Sequence, residues 1–458
     1  MNIIQSIWGR LMQMLGPKET HKMDMAIRVG PDMRTALKSW DDLFYLQNQP
    51  QHSLKMAQVI TSFAATLTTN EIMLSLGTGA RADYLHNQLE AHLLPDLWSN
   101  IQLAAVGGQV AVKPYVRDKN LYFEVIPASR IYPSRFGPGR RIDAGCFTDY
   151  DTLNGRSVVR VERFDLQPGG LYINNRAYYD NNGELGGEVK LTDVPRWAEL
   201  PADLLINNVD RPYFGILRMP GTNTVDGGPL PVSLYANAVD AIMEMDRIYA
   251  EYLWEIHTGK RRLILDRLAV QSPIEGKPAI PYSELTSDYY VVLDFGNEPK
   301  QPWGDYTPEM RVEAYQKAMD VQARVLELQV NLSPGTIHMD IRTGRVTATQ
   351  VVSDDKETYN TIKAIQDRGI KQGLLDVMYW CDVYATLYDL APEGPVEPAV
   401  SFGDSIFEDT GVEFQRRKQL ADGKYIRPEL LTSWYFGVSE DEARSMAPET
   451  ETGMFGDA

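Results

Sequence analysis

The spacing of apolar residues changes several times along the chain, and each change predicts a different kind of element. From about residue 23 to residue 106 the apolar positions recur every three or four residues, which predicts helices. One helix is expected over Ser53–Leu67 and another over Arg81–Val106, with a break or kink near Pro95. Gly107-Gly108 is expected to end this helical block.

The next block alternates apolar and polar residues, which is the period of half-buried β-strands. Turns are expected at Pro168-Gly169-Gly170 and Asn181-Asn182-Gly183, where glycine and asparagine tolerate the required backbone angles. The pattern therefore predicts an all-β module of roughly 100 residues. Its predicted strands are Gln109–Val116, Leu121–Val125, Ala144–Tyr150, Ser157–Leu166 and Leu171–Tyr179.

Two long helices with a small β insert between them are predicted next. Ser233 is the expected N-cap of the first helix, which runs to about His257. The second begins at Thr307-Pro308-Glu309, which combines an N-cap residue, a first-turn proline and a favourable acidic charge, and it reaches about Val330. Between the two helices, strands are predicted over Arg261–Leu265 and Tyr289–Phe295.

A helix of unusual length is predicted after a loop that spans Asn331–Arg345. The capping-box pattern of Thr347 and Gln350 opens it, and it extends over about Ala348–Leu390. At 1.5 Å rise per residue it would span about 60 Å, which exceeds a compact domain and implies packing against other subunits. Gly369 and Gly373 each cost roughly 1 kcal/mol inside a helix, so they indicate a bend or a close helix contact.

Helices and strands thus fall into separate blocks along the chain and do not alternate regularly. A short strand, Val396–Phe402, and a tail of short helices over 411–458 complete the pattern. This segregation predicts the α+β class with more than one subdomain.

Composition and charge narrow the functional classes. The 458 residues are 43% hydrophobic and 23% charged, as in folded globular proteins. The net charge of −17 makes the chain a poor candidate for binding nucleic-acid phosphates over its whole surface. Cys146 and Cys381 are too few for a disulfide framework, so a reducing compartment is expected. No window approaches the ~20 apolar residues of a membrane span, and the amphipathic stripe from Ile3 to Leu15 favours a helix docked on protein over a membrane-surface helix.

The sequence offers no catalytic constellation. Gly77-Thr78-Gly79 is not followed by the lysine of a phosphate-binding loop, and His86 and His92 are six residues apart, which does not suit a shared metal ion. Acidic clusters such as Asp354-Asp355 favour solvated helix faces over a carboxylate pair. We therefore expect no enzyme activity, no cofactor and no catalytic or metal-binding residue. A carboxylate-pair hydrolase is the less favoured alternative.

Several segments, in the same order, resemble the portal proteins of tailed bacteriophages, specifically the SPP1-like siphophage group. Leu103–Tyr115 resembles the helix, Gly-Gly and strand segment of that family, and Phe123–Pro133 resembles the strand and turn that follow. Pro229–Arg262 is similar to the helix that enters the stem. Leu332–Thr336 and Thr343–Val351 resemble the loop and the start of the helix behind it. The likeness covers most of residues 55–390.

The resemblance implies a portal fold with an α/β wing, a two-helix stem, a small α/β clip, a long bent helix and a short helical crown. The implied segments are the N-terminal helices and wing (1–231), stem helix 1 (232–258), the clip (259–305), stem helix 2 (306–330), the tunnel loop (331–346), the long wing helix with a strand (347–410) and the crown (411–458).

The implied function is that of a portal ring, the head-to-tail connector at one vertex of the virion capsid, without enzyme activity. Twelve copies would surround a channel through which double-stranded viral DNA passes during packaging and ejection. The implied partners are identical copies, the terminase large subunit, a head-completion adaptor, the major capsid protein and a scaffold protein, with no membrane. The ring would assemble in the bacterial cytoplasm. Another virion protein, such as a capsid or adaptor protein, is an alternative.

Three groups of residues follow as candidates. The DNA-channel loop would contribute Ser333, Gly335, His338, Arg342, Gly344 and Arg345. Its arginines would form a weak basic ring at the constriction or, equally, pair with neighbouring carboxylates. The basic run Lys260, Arg261 and Arg262 is either a charge complement to a helix C-terminus or a docking contact of the clip for an acidic partner. Tyr249, Tyr252, Trp254 and Trp380 are candidates for packing between subunits, or equally for the core of one subunit.

Overall fold

The computed structural model describes residues 28–47, 52–181, 183–260, 262–266, 290–293, 303–337, 356–403, 410–423, 425–436 and 443–444. Helices and strands both contribute extensively, so the mixed α and β class predicted from sequence is confirmed at that level. In chain order the helices are α1 (Pro31–Phe44), α2 (Met56–Thr69), α3 (Ala80–His92), α4 (Leu94–Gly107), α5 (Val239–Thr258), α6 (Val312–Gln329), α7 (Lys356–Ala364), α8 (Lys371–Leu387), α9 (Thr410–Asp422) and α10 (Pro428–Phe436).

Within the described residues the strands form four sheets. Their bounds are β1 (Ile72–Ser75), β2 (Gln109–Arg117), β3 (Asn120–Pro127), β4 (Ile131–Phe136), β5 (Ile142–Leu153), β6 (Arg156–Gln167), β7 (Gly170–Asn181), β8 (Glu184–Val189), β9 (Asp203–Asn207), β10 (Gly215–Arg218), β11 (Arg262–Asp266), β12 (Tyr290–Leu293), β13 (Trp303–Tyr306) and β14 (Ala399–Phe402).

Three of the five strands predicted for the β module, β5, β6 and β7, lie in a six-stranded antiparallel sheet of order β4-β5-β6-β7-β8, with β9 pairing the other half of the long strand β7. The other two, β2 and β3, pair with each other in a separate sheet, so the single module predicted from the sequence is divided between two sheets. Asn154 and Gly155, which connect β5 to β6, both have positive φ angles of 52° and 76°. A two-residue Asn-Gly turn of this kind matches the natural twist of a hairpin. The hairpin registers place Phe147 and Phe164 on the buried face, with ring centroids 4.9 Å apart.

A second sheet, of order β10-β2-β3, lies against α4 and α8. Val110 and Val112 of β2 and Leu217 of β10 are fully buried in one core with Leu374 and Val377 of α8. This packing explains why the sequence of β2 is apolar on consecutive positions, since both faces of the strand are covered.

The long helix predicted behind the loop is described from Lys356 onward, and its predicted start at Ala348 lies outside the described residues. A π-helical segment, Ile365–Ile370, interrupts it between α7 and α8. A Cβ on Gly369 would collide with the carbonyl oxygen of Arg218, and one on Gly373 would collide with that of Ile216. The glycines were predicted to mark a bend or a close helix contact. The structure shows a close contact at both, but the partner is strand β10 and not a second helix.

Other boundaries confirm or correct the sequence predictions. As expected, the helical block is interrupted next to Pro95, because α3 ends at His92 and α4 begins at Leu94. Gly108 ends α4 with a left-handed φ of 83°. Ser233 is not the N-cap of α5, because its hydroxyl donates to the Ala105 carbonyl at 3.0 Å and the helix begins six residues later.

The second of the two long helices also starts later than predicted. The Thr307 hydroxyl donates to Asp305 Oδ1 at 2.7 Å, so it is not the predicted N-cap, and α6 begins at Val312. The tail contains helices α9 and α10, as expected, with the rings of Phe414 and Tyr435 5.0 Å apart.

Candidate functional site

Helices α5 and α6 form an antiparallel hairpin, and this hairpin is the element from which the candidate site is built. Ala241, Ile242 and Met245 of α5 share one buried core with Ala323 and Leu326 of α6. The same core includes residues of α1 and α2, so the near end of the hairpin is fixed to the body of the chain.

At its far end the hairpin is held by a network around Glu255. The Arg311 backbone N–H donates to Glu255 Oε1 at 2.9 Å, and the Arg311 guanidinium pairs with the same carboxylate. These hydrogen bonds from Arg311 lower the pKa of Glu255 from 4.5 to about 2. Tyr252 and Tyr315 pack next to this network with ring centroids 5.9 Å apart. Tyr252 is thus half-buried inside the hairpin of one chain.

The far end also carries a small sheet of order β12-β11-β13. Strand β11 is the central strand, and it runs parallel to β12 on one side and antiparallel to β13 on the other. Of the predicted docking residues, Lys260 is exposed and Arg262 is half-buried, while Arg261 lies outside the described residues. Lys260 and Arg262 therefore differ in their access to a partner.

Each helix of the hairpin presents apolar side chains on two opposite faces. On α6, Ala323, Leu326 and Val330 face the core, whereas Val321, Val325 and Leu328 are exposed. At 3.6 residues per turn the second set lies on the side opposite to the first. Leu328 is 75% exposed and Val321 is 57% exposed, which is unusual for residues of this type when they belong to one stripe.

On α5 the same arrangement recurs. Met243 is 45% exposed and Trp254 is 67% exposed, and their separation of eleven positions along the chain corresponds to about three helical turns. We call the exposed set Met243, Trp254, Val321, Val325 and Leu328 the outer stripe of the hairpin. Within the described part of the chain, nothing covers it.

The four aromatic candidates are thus placed differently. Trp254 belongs to the outer stripe, and Tyr249 and Tyr252 are half-buried on α5. Trp380 is fully buried, with Tyr213, Tyr379 and Tyr384 around it at ring distances of 5.5 to 6.4 Å. Trp380 is therefore part of the core of one subunit, which was the second of its two possible roles.

The base of the predicted tunnel loop is fixed by buried hydrogen bonds. The Ser333 backbone N–H donates to Thr358 Oγ1 at 2.9 Å, and the Thr358 backbone N–H donates to Ser333 Oγ at 3.1 Å. This reciprocal pair joins the two sides of the segment at its base. Ser333 is fully buried, so its side chain anchors the base of this segment, and its assignment to a tunnel loop stays a prediction.

Glu327 is a second anchor of this base and was missed from the sequence. Its buried carboxylate accepts the backbone N–H of Gly335 at 2.9 Å and that of Ile337 at 2.7 Å. Gly335 has a φ of 86°, a conformation that glycine adopts without strain. His338, Arg342, Gly344 and Arg345 lie outside the described residues.

A network of buried charges joins the two larger sheets. Lys113 Nζ on β2 lies 2.9 Å from Glu162 Oε2 on β6 and 2.6 Å from Glu124 Oε2 on β3. Arg160 is 2.9 Å from Glu162, and the Tyr213 hydroxyl donates to Glu162 at 2.7 Å. No sequence motif indicated this network, because its members are far apart along the chain.

The charges around Glu162 decide its ionisation. Burial raises the pKa of this carboxyl group, but the neighbouring Lys113 and Arg160 outweigh burial and lower the pKa from 4.5 to about 2. Burial and the Glu162 charge together raise the pKa of Tyr213 well above 10. Glu162 is therefore ionised and Tyr213 is neutral at neutral pH, and the network is a structural joint between the sheets.

No protein-family model matches the chain, and a search of curated proteins finds no significant match. Within the described ranges, no three His, Cys, Asp or Glu side chains are grouped in a way that would hold a metal ion. Among the helices of those ranges, none is both long enough and apolar enough to cross a bilayer.

Proposed function

We propose that the chain is the subunit of a phage portal ring, the connector at one capsid vertex that conducts double-stranded DNA during packaging and ejection. In this proposal α5 and α6 are the stem, the sheet β12-β11-β13 belongs to the clip, and the segment anchored by Ser333 and Glu327 is the tunnel loop. The terminase large subunit and then a head-completion adaptor would dock at the clip, and the major capsid protein and a scaffold protein would surround the ring in the virion.

The outer stripe of the hairpin is the observation that carries this proposal. A helix that is apolar on two opposite faces can satisfy only one of them within its own chain. In a ring of identical subunits, each hairpin packs against a neighbour on both sides through a heterologous contact. The exposed Val321, Leu328 and Trp254 would then be covered by the next copy.

The acidic charge of the chain supports the same function. A DNA conduit must let the duplex slide, and every neutralised phosphate adds salt-dependent affinity that opposes sliding. A chain with a net charge of −17 minimises such binding, while a few basic residues at the loop would provide weak contact. Arg342 and Arg345 are the residues expected in that role.

The test is the mass of the full-length protein under native conditions. Twelve copies of 51.7 kDa correspond to about 620 kDa. We expect Leu328→Glu to shift the protein to smaller species, because a charge would be buried between two hairpins. Leu185→Glu is the matched control, since Leu185 is 54% exposed on the β module, and this variant should keep the mass of the wild type.

A wild-type protein that stays at 51.7 kDa, both alone and in particles assembled with capsid and scaffold proteins, would contradict the proposal. Electron microscopy of such particles should show a ring with an open channel at one vertex. For the loop, the double variant Arg342→Ala with Arg345→Ala is expected to form rings but to package or retain DNA differently. Unchanged packaging would remove these two residues from the proposal.

A further inference from the structure

A cavity of about 290 Å³ lies where strand β10, the turn after β4 and helix α8 meet. Its volume is close to the lower end of the range of ligand pockets, about 300 Å³. Four arginine side chains line it, namely Arg140, Arg141, Arg211 and Arg218. Such a concentration of positive charge is unexpected on a chain whose net charge is −17.

Two of the four arginines are paired with carboxylates. Arg141 Nε lies 2.6 Å from Asp143 Oδ1, and Arg211 Nη1 lies 3.1 Å from Asp376 Oδ1. Arg211 also contacts the carboxylate of Asp210 at 3.3 Å. These two guanidinium groups are therefore largely neutralised and are held in fixed positions at the cavity wall.

Arg140 and Arg218 differ from that pair. Among the residues that the structure describes, no carboxylate lies within ion-pair distance of either guanidinium group. Arg218 donates to the Gly139 carbonyl at 3.1 Å and Arg140 to the Gly221 carbonyl at 3.5 Å, and neither acceptor carries a charge. Burial, and then the charge of Arg140, lower the pKa of Arg218, and the charge of Asp376, which lines the same cavity, opposes them only in part.

Strand β10 and its neighbours hold Arg218 at the cavity wall. Gly369 and Gly373 allow strand β10 to lie directly on the helix, and Arg218 at the end of that strand pairs in register with Gln109 of β2. Gln109 and Gln372 line the same cavity and carry amide groups that can donate hydrogen bonds. The wall thus combines two guanidinium groups that have no ion pair within the described residues with neutral hydrogen-bond donors on rigid elements.

We propose that this cavity binds a small polyvalent oxyanion of the phosphate class, with Arg140 and Arg218 as its main ligands. A planar guanidinium group donates two parallel hydrogen bonds to such oxygens, which makes arginine the preferred residue for phosphate recognition. The cavity is formed by one chain, so the inference does not depend on ring assembly.

The probe is inorganic pyrophosphate, titrated calorimetrically into the full-length protein in a phosphate-free buffer of low ionic strength. Saturable binding with one site per chain is expected. Arg140→Gln and Arg218→Gln should each weaken binding by about tenfold, the factor that corresponds to loss of one charge-assisted hydrogen bond. Arg117→Gln is the control, because Arg117 is an exposed arginine of β2 and its loss changes the net charge equally.

Three results would overturn the inference. The first is that wild-type protein shows no saturable heat, and the second is that Arg117→Gln weakens binding as much as Arg140→Gln, which would mean general charge attraction. The third is tighter binding of citrate, a polyvalent carboxylate, than of pyrophosphate. Arg140 is exposed, so its variant is expected to fold, and circular dichroism checks this for both variants. If Arg218→Gln does not fold, Arg140→Gln alone decides.

Discussion

Replacing Glu162 with glutamine should destabilise the joint between the two larger sheets strongly. Glu162 is 5% exposed and its carboxylate accepts hydrogen bonds from Lys113 and Tyr213 while it pairs with Arg160. The glutamine amide has nearly the same shape but no charge. The variant therefore leaves two buried cations without their shared close partner. Lys113 keeps Glu124 at 2.6 Å, whereas Arg160 keeps only the more distant Glu124 and Asp149, at 3.9 and 3.8 Å.

The size of the effect follows from the pKa of Glu162. A fall from 4.5 in the unfolded chain to about 2 in the folded chain corresponds to roughly 3 kcal/mol of stability at neutral pH. Removing one partner of a buried ion pair typically costs 3–5 kcal/mol, roughly the same range. Because the folded-state pKa is depressed, this contribution is complete above about pH 4.5 and is lost as the pH falls toward 2.

The assay is denaturant unfolding of wild type and Glu162→Gln at equal protein concentration, at pH 7 and at several lower values. The difference in free energy of unfolding should be about 3 kcal/mol at pH 7 and should shrink as the pH falls below 4.5. The control is Glu188→Gln, an exposed partner of Arg176, which should cost under about 1 kcal/mol. A difference for Glu162→Gln that is as small as in the control, or that does not change with pH, would refute this account.

Two further substitutions test the packing at the bend and at the loop base. Gly373→Ala should lower the free energy of unfolding by about 1–3 kcal/mol, because its methyl group would collide with the Ile216 carbonyl oxygen. Gly187→Ala is the control, since a methyl group there meets open space and should leave the stability nearly unchanged. Thermal unfolding measures both variants. Ser333→Ala leaves the buried Thr358 N–H without its acceptor and should lower the free energy of unfolding by about 1–3 kcal/mol in the same assay. An unchanged melting temperature would show that the reciprocal hydrogen bonds do not hold the loop base.

Several elements could be predicted from the sequence because their signals are local. The hairpin strands of the β module were found by alternation and by turn residues, which depend only on neighbours along the chain. The break before Pro95 and the end of α4 at Gly108 were found for the same reason, since proline and glycine constrain the backbone wherever they occur. The distortion at Gly369 was also found, although its partner was not.

Helix starts were predicted less well. Ser233 and Thr307 both look like N-caps in the sequence, but each hydroxyl is used elsewhere, by the Ala105 carbonyl and by Asp305. A capping signal shows that a side chain can satisfy a helix end, and the surrounding fold decides whether it does. The same limit explains Ser333, whose buried partner Thr358 is 25 residues away.

The sequence by itself determined the kinds of element, their order and the acidic charge of the chain, because period, turn residues and composition are properties of neighbouring residues. The tertiary structure alone decided which side chains meet. It brought Lys113, Glu124 and Glu162 together from three strands, gathered arginines from a turn, a loop and strand β10 around one cavity, and left one face of the α5–α6 hairpin uncovered. Those arrangements depend on long-range packing, in which contacts between distant residues carry no periodic signal along the chain.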